Sequence, residues 1–193
     1  MLSFIENIGL ILQRYGAVFA QGLWNTLWLS FVSVFLGTFL GILVALGKLS
    51  RHKLLNGVVS TYIEIIRGTP ILLQLYFFWL ALPNILPSIS DTTCILSALV
   101  VNASAYIAEV IRAGIQAVDA GQREASLSLG MTERAIMTKV IFPQAIKNIL
   151  PALGNEVIVM IKQTSLASVF FFGELMTAYK QVQSTTFLAL EPL

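Results

Sequence analysis

Residues 15–47 contain no aspartate, glutamate, lysine or arginine. A membrane-spanning helix needs about 20 predominantly apolar residues, so this run alone commits the chain to crossing a bilayer. In hydrocarbon the backbone has no water to bond to and must satisfy itself internally, which makes helices the expected building block. The rest of the sequence agrees. Of 193 residues, 56% are hydrophobic and 11% charged, and the mean hydropathy is +0.81, too apolar for a soluble domain of this size. The expected fold is an all-α, polytopic helical membrane bundle forming one domain over residues 1–193. The single cysteine, Cys94, excludes an internal disulfide or a cysteine-based metal cluster and reads as a small packing residue. A net charge of +2, with the basic residues scattered among loops, sets nucleic acid aside as a partner.

Four spans are expected, at about 17–47, 58–82, 92–112 and 150–172. The second ends at Pro83 and Pro87, which suit a turn at the opposite interface. The fourth is weaker by hydropathy because Glu156 and Lys162 lie inside it. Residues 1–13 lack a basic region and the apolar run after them is too long for a signal peptide, so the first span is expected to stay in the mature protein. Gly37 and Gly41 form a small-xxx-small pattern, and Trp24 and Trp28 sit near the outer end of span one, features of helix packing and interfacial anchoring. Pro70 and Pro151 either break their helices and free carbonyls toward a cavity or only kink them.

Cytoplasmic loops carry the excess of lysine and arginine. The first connection holds Lys48, Arg51 and Lys53 without an acid, whereas the next holds only Asp91. The third carries Arg112, Arg123, Arg134, Lys139 and Lys147 against Asp119, Glu124 and Glu133. Loops 48–57 and 112–148 are therefore expected inside, with the amino terminus outside and Glu174 and Lys180 outside after span four. His52 reads as a solvated loop residue.

The third connection, about 116–147, is too patterned for a disordered linker. Over 121–131, Ala125, Leu127, Leu129 and Met131 alternate with Gln122, Arg123 and Glu124 as in a short amphipathic helix closed by Gly130. Thr132 then N-caps a second helix running through Ile136, Val140 and Ile141 to Pro143. The resulting helix-turn-helix either plugs the bottom of the bundle or meets a partner protein; periodicity does not decide between them.

Glu124-Ala125-Ser126, then Gly130, then Val140-Ile141-Phe142-Pro143 resembles the EAA loop of the membrane subunits of bacterial ABC importers. Arg67-Gly68-Thr69-Pro70, the stretch from Tyr106-Ile107-Ala108-Glu109 to Gly114-Ile115, and Pro143-Gln144-Ala145-Ile146-Lys147-Asn148 with Leu150-Pro151-Ala152-Leu153-Gly154-Asn155-Glu156 are similar to the permeases for polar amino acids. Ser126, Val140 and Phe142 stand where the loop usually has alanine, isoleucine and leucine. A fifth span is usual in the family, and the chain stops at Leu193 where residues 187–190 could be approaching it, so truncation is expected. The resemblance implies an importer permease that receives its cargo from an external amino-acid-binding protein. It also implies a second permease subunit, identical or homologous, and two ABC ATPase subunits. Arg123, Glu124, Ala125, Ser126, Gly130 and Met131 would form the coupling helix in the ATPase groove. The chain has no phosphate-binding glycine loop ending in Gly-Lys-Ser/Thr, so ATP and its magnesium are expected on the partner, and no cofactor or metal on this chain. An ATP-independent secondary transporter or channel subunit is the alternative. An intramembrane metalloprotease would need a metal-binding helix such as His-Glu-x-x-His, which one histidine does not supply.

Charges within spans cost free energy and usually face a cavity or a partner. Glu64 with Arg67, and Glu109 with Arg112, are three apart and can neutralise themselves on one helix face, or else Glu109 and Arg67 contact cargo. Glu156 has no such partner. Rising about 1.5 Å per residue from Lys147, it sits more than about 10 Å into the membrane. With Asn155 beside it and Gln163 seven residues on, it is a candidate for the cargo's ammonium or cationic side chain. The alternative is an inter-helix pair with Arg67 or Arg112.

Overall fold

The computed structural model describes residues 2–50 and 52–193; Arg51, counted above in the first loop, lies outside them. No strand occurs among the described residues. The helices are α1 (Leu2–Lys48), α2 (Lys53–Gly68), α3 (Ile71–Ile85), α4 (Asp91–Gln116), α5 (Ala120–Ser128), α6 (Glu133–Ile136), α7 (Phe142–Gln163) and α8 (Leu175–Thr186). A π-helical turn, Met137–Ile141, joins α6 to α7, and a 3-10 segment, Thr164–Phe170, follows α7. Two helices, Phe4–Lys48 and Asp91–Gln116, are each long and apolar enough to cross a membrane, and counting each of two bent helix pairs as one span raises the number to four.

α4 is the hub, packed against α1, α2, α3 and α7. Its buried residues are mostly small: Ala98, Ala103, Ser104, Ala105, Ala108 and Gly114. Small side chains let helix backbones approach closely, and dispersion contacts rather than hydrophobic exclusion hold helices together in lipid. Gly37 and Gly41 of α1 complete the match. A Cβ at Gly37 would lie 2.5 Å from Cβ of Ala103, and one at Gly41 would lie 3.0 Å from Cβ of Ile107. The buried core gathers around Leu29, Leu75, Ile95, Leu99, Ile107 and Met160.

α1 begins at Leu2, well before the expected 17, because no proline interrupts residues 2–14 and the helix carries on past Glu6 and Arg14. At about 1.5 Å per residue its 47 residues extend about 70 Å. The expected unbroken span at 58–82 is corrected to two helices, α2 and α3, meeting at 108°. Pro70 causes the break: it has no N–H, its ring clashes with the preceding turn, and it drives the residue before it out of the helical region. Thr69 is accordingly extended, with φ −111° and ψ 142°. Pro151, by contrast, lies inside an unbroken α7.

The expected end of the second hairpin helix at Pro143 is also corrected. The chain stays helical from Glu133 to Gln163, because the widened π-helical turn just before Pro143 shifts the hydrogen-bond register and makes room for the proline ring. The segment expected as a span over 150–172 therefore starts earlier and changes at Thr164 to 3-10 geometry, ending at Phe171 with φ 56°. α8 follows, N-capped by the buried Glu174, whose carboxylate accepts from the backbone N–H groups of Met176 and Thr177 at 2.7 Å each. It packs against α1, where Asn25 donates to the Gly173 carbonyl at 2.7 Å.

Candidate functional site

Three groups of polar residues stand apart from the apolar bundle. The first is the α5–α6 hairpin. Asp119 caps α5 by accepting from Gly121 N–H at 2.8 Å. Past the other end, Gly130 has φ +75°, a left-handed conformation that costs glycine little. There Gly130 N–H donates to Leu127 O and Met131 N–H to Ser126 O, at 2.9 and 3.1 Å, closing a Schellman-type cap. Thr132 caps α6 by accepting from Ala135 N–H at 3.3 Å. Ser126 turns inward and is buried, its hydroxyl donating to Gln122 O at 2.7 Å. Arg123, Glu124 and Ala125 are exposed and Met131 is half-buried, while Leu127 and Leu129 are 46% and 82% exposed. Arg123, which the sequence offered to an outside partner, also has a partner within the hairpin. Its guanidinium donates to both carboxylate oxygens of Glu133, at 2.6 and 3.3 Å, bracing α5 against α6.

The second group lines an open polar cavity of about 410 Å³ between the end of α1, α2 and the end of α4, including Lys48, Ser60, Glu64, Arg67, Glu109 and Arg112. Glu109 and Arg112 pair as their spacing predicted. The Glu64–Arg67 pair does not form. Arg67 instead reaches across to Glu109 at 3.8 Å and lies 5.4 Å from the centre of the Tyr106 ring. Tertiary packing of α2 on α4 has overridden the local spacing. Tyr62 strengthens the same contact, its hydroxyl lying 2.6 Å from that of Ser104.

Glu156, Asn155 and Gln163 form the third group on α7. Glu156 and Gln163 are half-buried and Asn155 is exposed. Among the described residues no side-chain hydrogen bond joins them, and Glu156 has no salt bridge within 4.0 Å to Arg67 or Arg112. Arg67 and Glu109 thus come together, and no salt bridge within 4.0 Å joins Glu156 to Arg67.

Sequence reasoning missed Gln74 and Asn102, whose side chains are 6% and 3% exposed. Asn102 Nδ2 donates to Gln74 Oε1 at 3.0 Å, linking α3 to α4. The available signal was a glutamine one helical turn after a proline, in an apolar run with no other reason to hold an amide.

Apolar helices packed around α4, with a polar hairpin at one end presenting exposed leucines, define a helical membrane protein. Residues 37–190 match the family described as binding-protein-dependent transport system inner membrane component. The chain is 38% identical over 174 residues to the arginine transport system permease protein ArtQ of Bacillus subtilis (strain 168), covering 90% of this chain and 80% of that protein. It is 35% identical over 173 residues to the glutamine transport system permease protein GlnP of Escherichia coli (strain K12), covering 89% and 79%. Among solved structures, it matches a crystal structure of an amino acid ABC transporter with histidines at TM-score 0.90 and 49% identity, over 95% of this chain and 86% of that one. The MetNI methionine ABC transporter shares the fold, at TM-score 0.73 and 23% identity over 91% and 84%. The chain belongs to the family of inner-membrane components of binding-protein-dependent transport systems.

Proposed function

We propose that this chain is the permease subunit of an ATP-driven importer that moves a polar amino acid, delivered by an external binding protein, into the cytoplasm. It has no cofactor of its own; two ABC ATPase subunits carry ATP and magnesium and drive a pair of permeases, this chain and an identical or homologous second one. The permease names of its relatives support the cargo class. The distribution of lysine and arginine supports an orientation with the amino terminus outside and residues 48–57 and 112–148 in the cytoplasm.

The observation that carries the coupling role is the exposed pair Leu127 and Leu129 beside Glu124, on a hairpin whose turn is fixed by Gly130. Apolar side chains left bare on a rigid, capped segment outside the bilayer mark a docking face. Arg123, Ala125, Ser126 and Met131 complete that hairpin: Arg123 braces α5 against α6 and Ser126 is buried on its inner side. Cargo recognition falls to Glu156, with Asn155 and Gln163 adding polar contacts; a half-buried carboxylate without a salt bridge is suited to an ammonium or cationic side chain. Arg67 and Glu109 line the cavity nearest the cytoplasm and serve the same path.

Affinity purification of the tagged chain from its native membrane in mild detergent, beside a Glu124→Lys variant, tests this. The native chain is expected to retain an ABC ATPase that the variant loses. Absence of any ATPase from both would overturn the importer reading in favour of an ATP-independent transporter.

A further inference from the structure

We propose that Gln74 is a positioning residue: it supplies the hydrogen that Pro70 lacks and so makes the α2–α3 elbow a fixed unit, tied through Asn102 to α4. In a continuous helix the N–H of residue 70 would donate to the carbonyl of Ile66. Proline has no such hydrogen. The side-chain Nε2 of Gln74 lies 2.7 Å from that carbonyl and 3.1 Å from the carbonyl of Thr69. It also donates to the Thr69 hydroxyl at 2.8 Å. That hydroxyl in turn donates to Ile65 O at 2.9 Å. The carbonyls of Ile65, Ile66 and Thr69 at the break are thus held by two side chains of the elbow itself.

A hinge must offer its freed backbone groups different partners in different states, and water is the usual one. Gln74 is buried, and its remaining oxygen is occupied by Asn102 of α4. A buried amide that loses such bonds bears its full desolvation cost, so the network holds α2, the elbow and α3 at one angle and fastens them to α4. Ile71 and Leu72, just past the elbow, pack in the same apolar cluster as Leu153 and Val157, which flank Glu156 on α7. The elbow therefore shares its apolar support with the helix that carries Glu156. Only this link to cargo rests on the function proposed above; the rigidity of the elbow does not.

The test is a pair of spin labels on exposed positions, Thr61→Cys on α2 and Leu80→Cys on α3, in a Cys94→Ala chain diluted among unlabelled copies in the reconstituted importer. Interlabel distances are measured without nucleotide and after trapping with ATP and vanadate. A fixed elbow gives the same narrow distribution in both states, whereas a shift between them would overturn the proposal. Gln74→Leu is expected to broaden the distribution and to lower the number of amino acids moved per ATP about 10-fold, the scale of losing buried hydrogen bonds. A Gln74→Leu chain with the wild-type distribution and coupling would equally overturn it. Asn102→Ala is expected to keep the α2–α3 distance while loosening a second pair, Leu80→Cys with Thr93→Cys on α4. The two-state comparison on unmutated Gln74 decides the matter even where Gln74→Leu fails to assemble. A complex that moves no amino acid would remove the proposed function yet leave the distances readable.

Discussion

Individual glycines in this chain are required for opposite reasons. Gly130 meets nothing within 4 Å of where a Cβ would stand, and its requirement is a left-handed backbone at φ +75°. Gly37 has ordinary helical geometry but no room, since α4 presses Ala103 against it. Gly37→Val is therefore expected to force the α1–α4 contact apart. Overpacking of this kind costs about 1–3 kcal/mol, readable as a lowered midpoint of thermal unfolding in detergent. Glu156 makes the contrasting case, a residue whose loss touches function before stability. It holds no intramolecular ion pair to break, so Glu156→Gln is expected to leave assembly and ATP hydrolysis intact. Charge-assisted hydrogen bonds are worth about 1.5–3 kcal/mol, and transport of a cationic or zwitterionic amino acid should fall about 10- to 100-fold. Unchanged uptake by the variant in vesicles would remove Glu156 from the cargo site.

Among the elements, the α5–α6 hairpin depends on one exposed brace. The side chains of Arg123 and Glu133 are 54% and 53% exposed, a setting where ion pairs contribute about 0–1 kcal/mol. Its effect is thus on the angle between the two short helices, not on overall stability. Arg123→Glu and Glu133→Arg are each expected to reduce uptake in vesicles, and the exchanged double variant to recover most of it. Additive losses in the double variant would show that Arg123 acts outside the hairpin. The caps of this hairpin were legible in the sequence because Gly130 and Thr132 act through their own backbone neighbours. The close packing at Gly37 and Gly41 was legible too, since in lipid small residues are the recurring means of bringing helices together. What the sequence hid was non-local. Glu64 and Arg67 have suitable spacing, yet α4 offers Arg67 a glutamate and an aromatic ring from another helix. Pro143 looks like a helix end, and only the register shift in the π-helical turn lets the helix run on through it. The amide of Gln74 reads as an oddity in an apolar run until the break at Pro70 gives it carbonyls to bind.

For the whole molecule, the polar hairpin and the polar cavity both depend on which side of the membrane the bundle presents them. With the amino terminus outside, Ser88→Cys in the α3–α4 connection is expected to react with a membrane-impermeant maleimide on intact cells. Gln122→Cys on the hairpin is expected to react only after permeabilisation; the reverse pattern would invert the orientation. The length of α1 bears on the molecule as a membrane solute. Its extent of about 70 Å exceeds a hydrocarbon core of about 30 Å more than twofold. Trp24, Trp28, Phe31, Phe35, Phe39 and Leu46 are exposed at intervals of three, four and seven residues, a stripe about 33 Å long that is close to the core's thickness. Where a 20-residue span would be stretched or stranded by a thinner or thicker bilayer, this helix tilts or emerges further at either end at little cost. Hydrophobic matching then falls to that stripe together with α4, the other helix that can cross alone, while the rest of α1 is free to project beyond the membrane it is matched to.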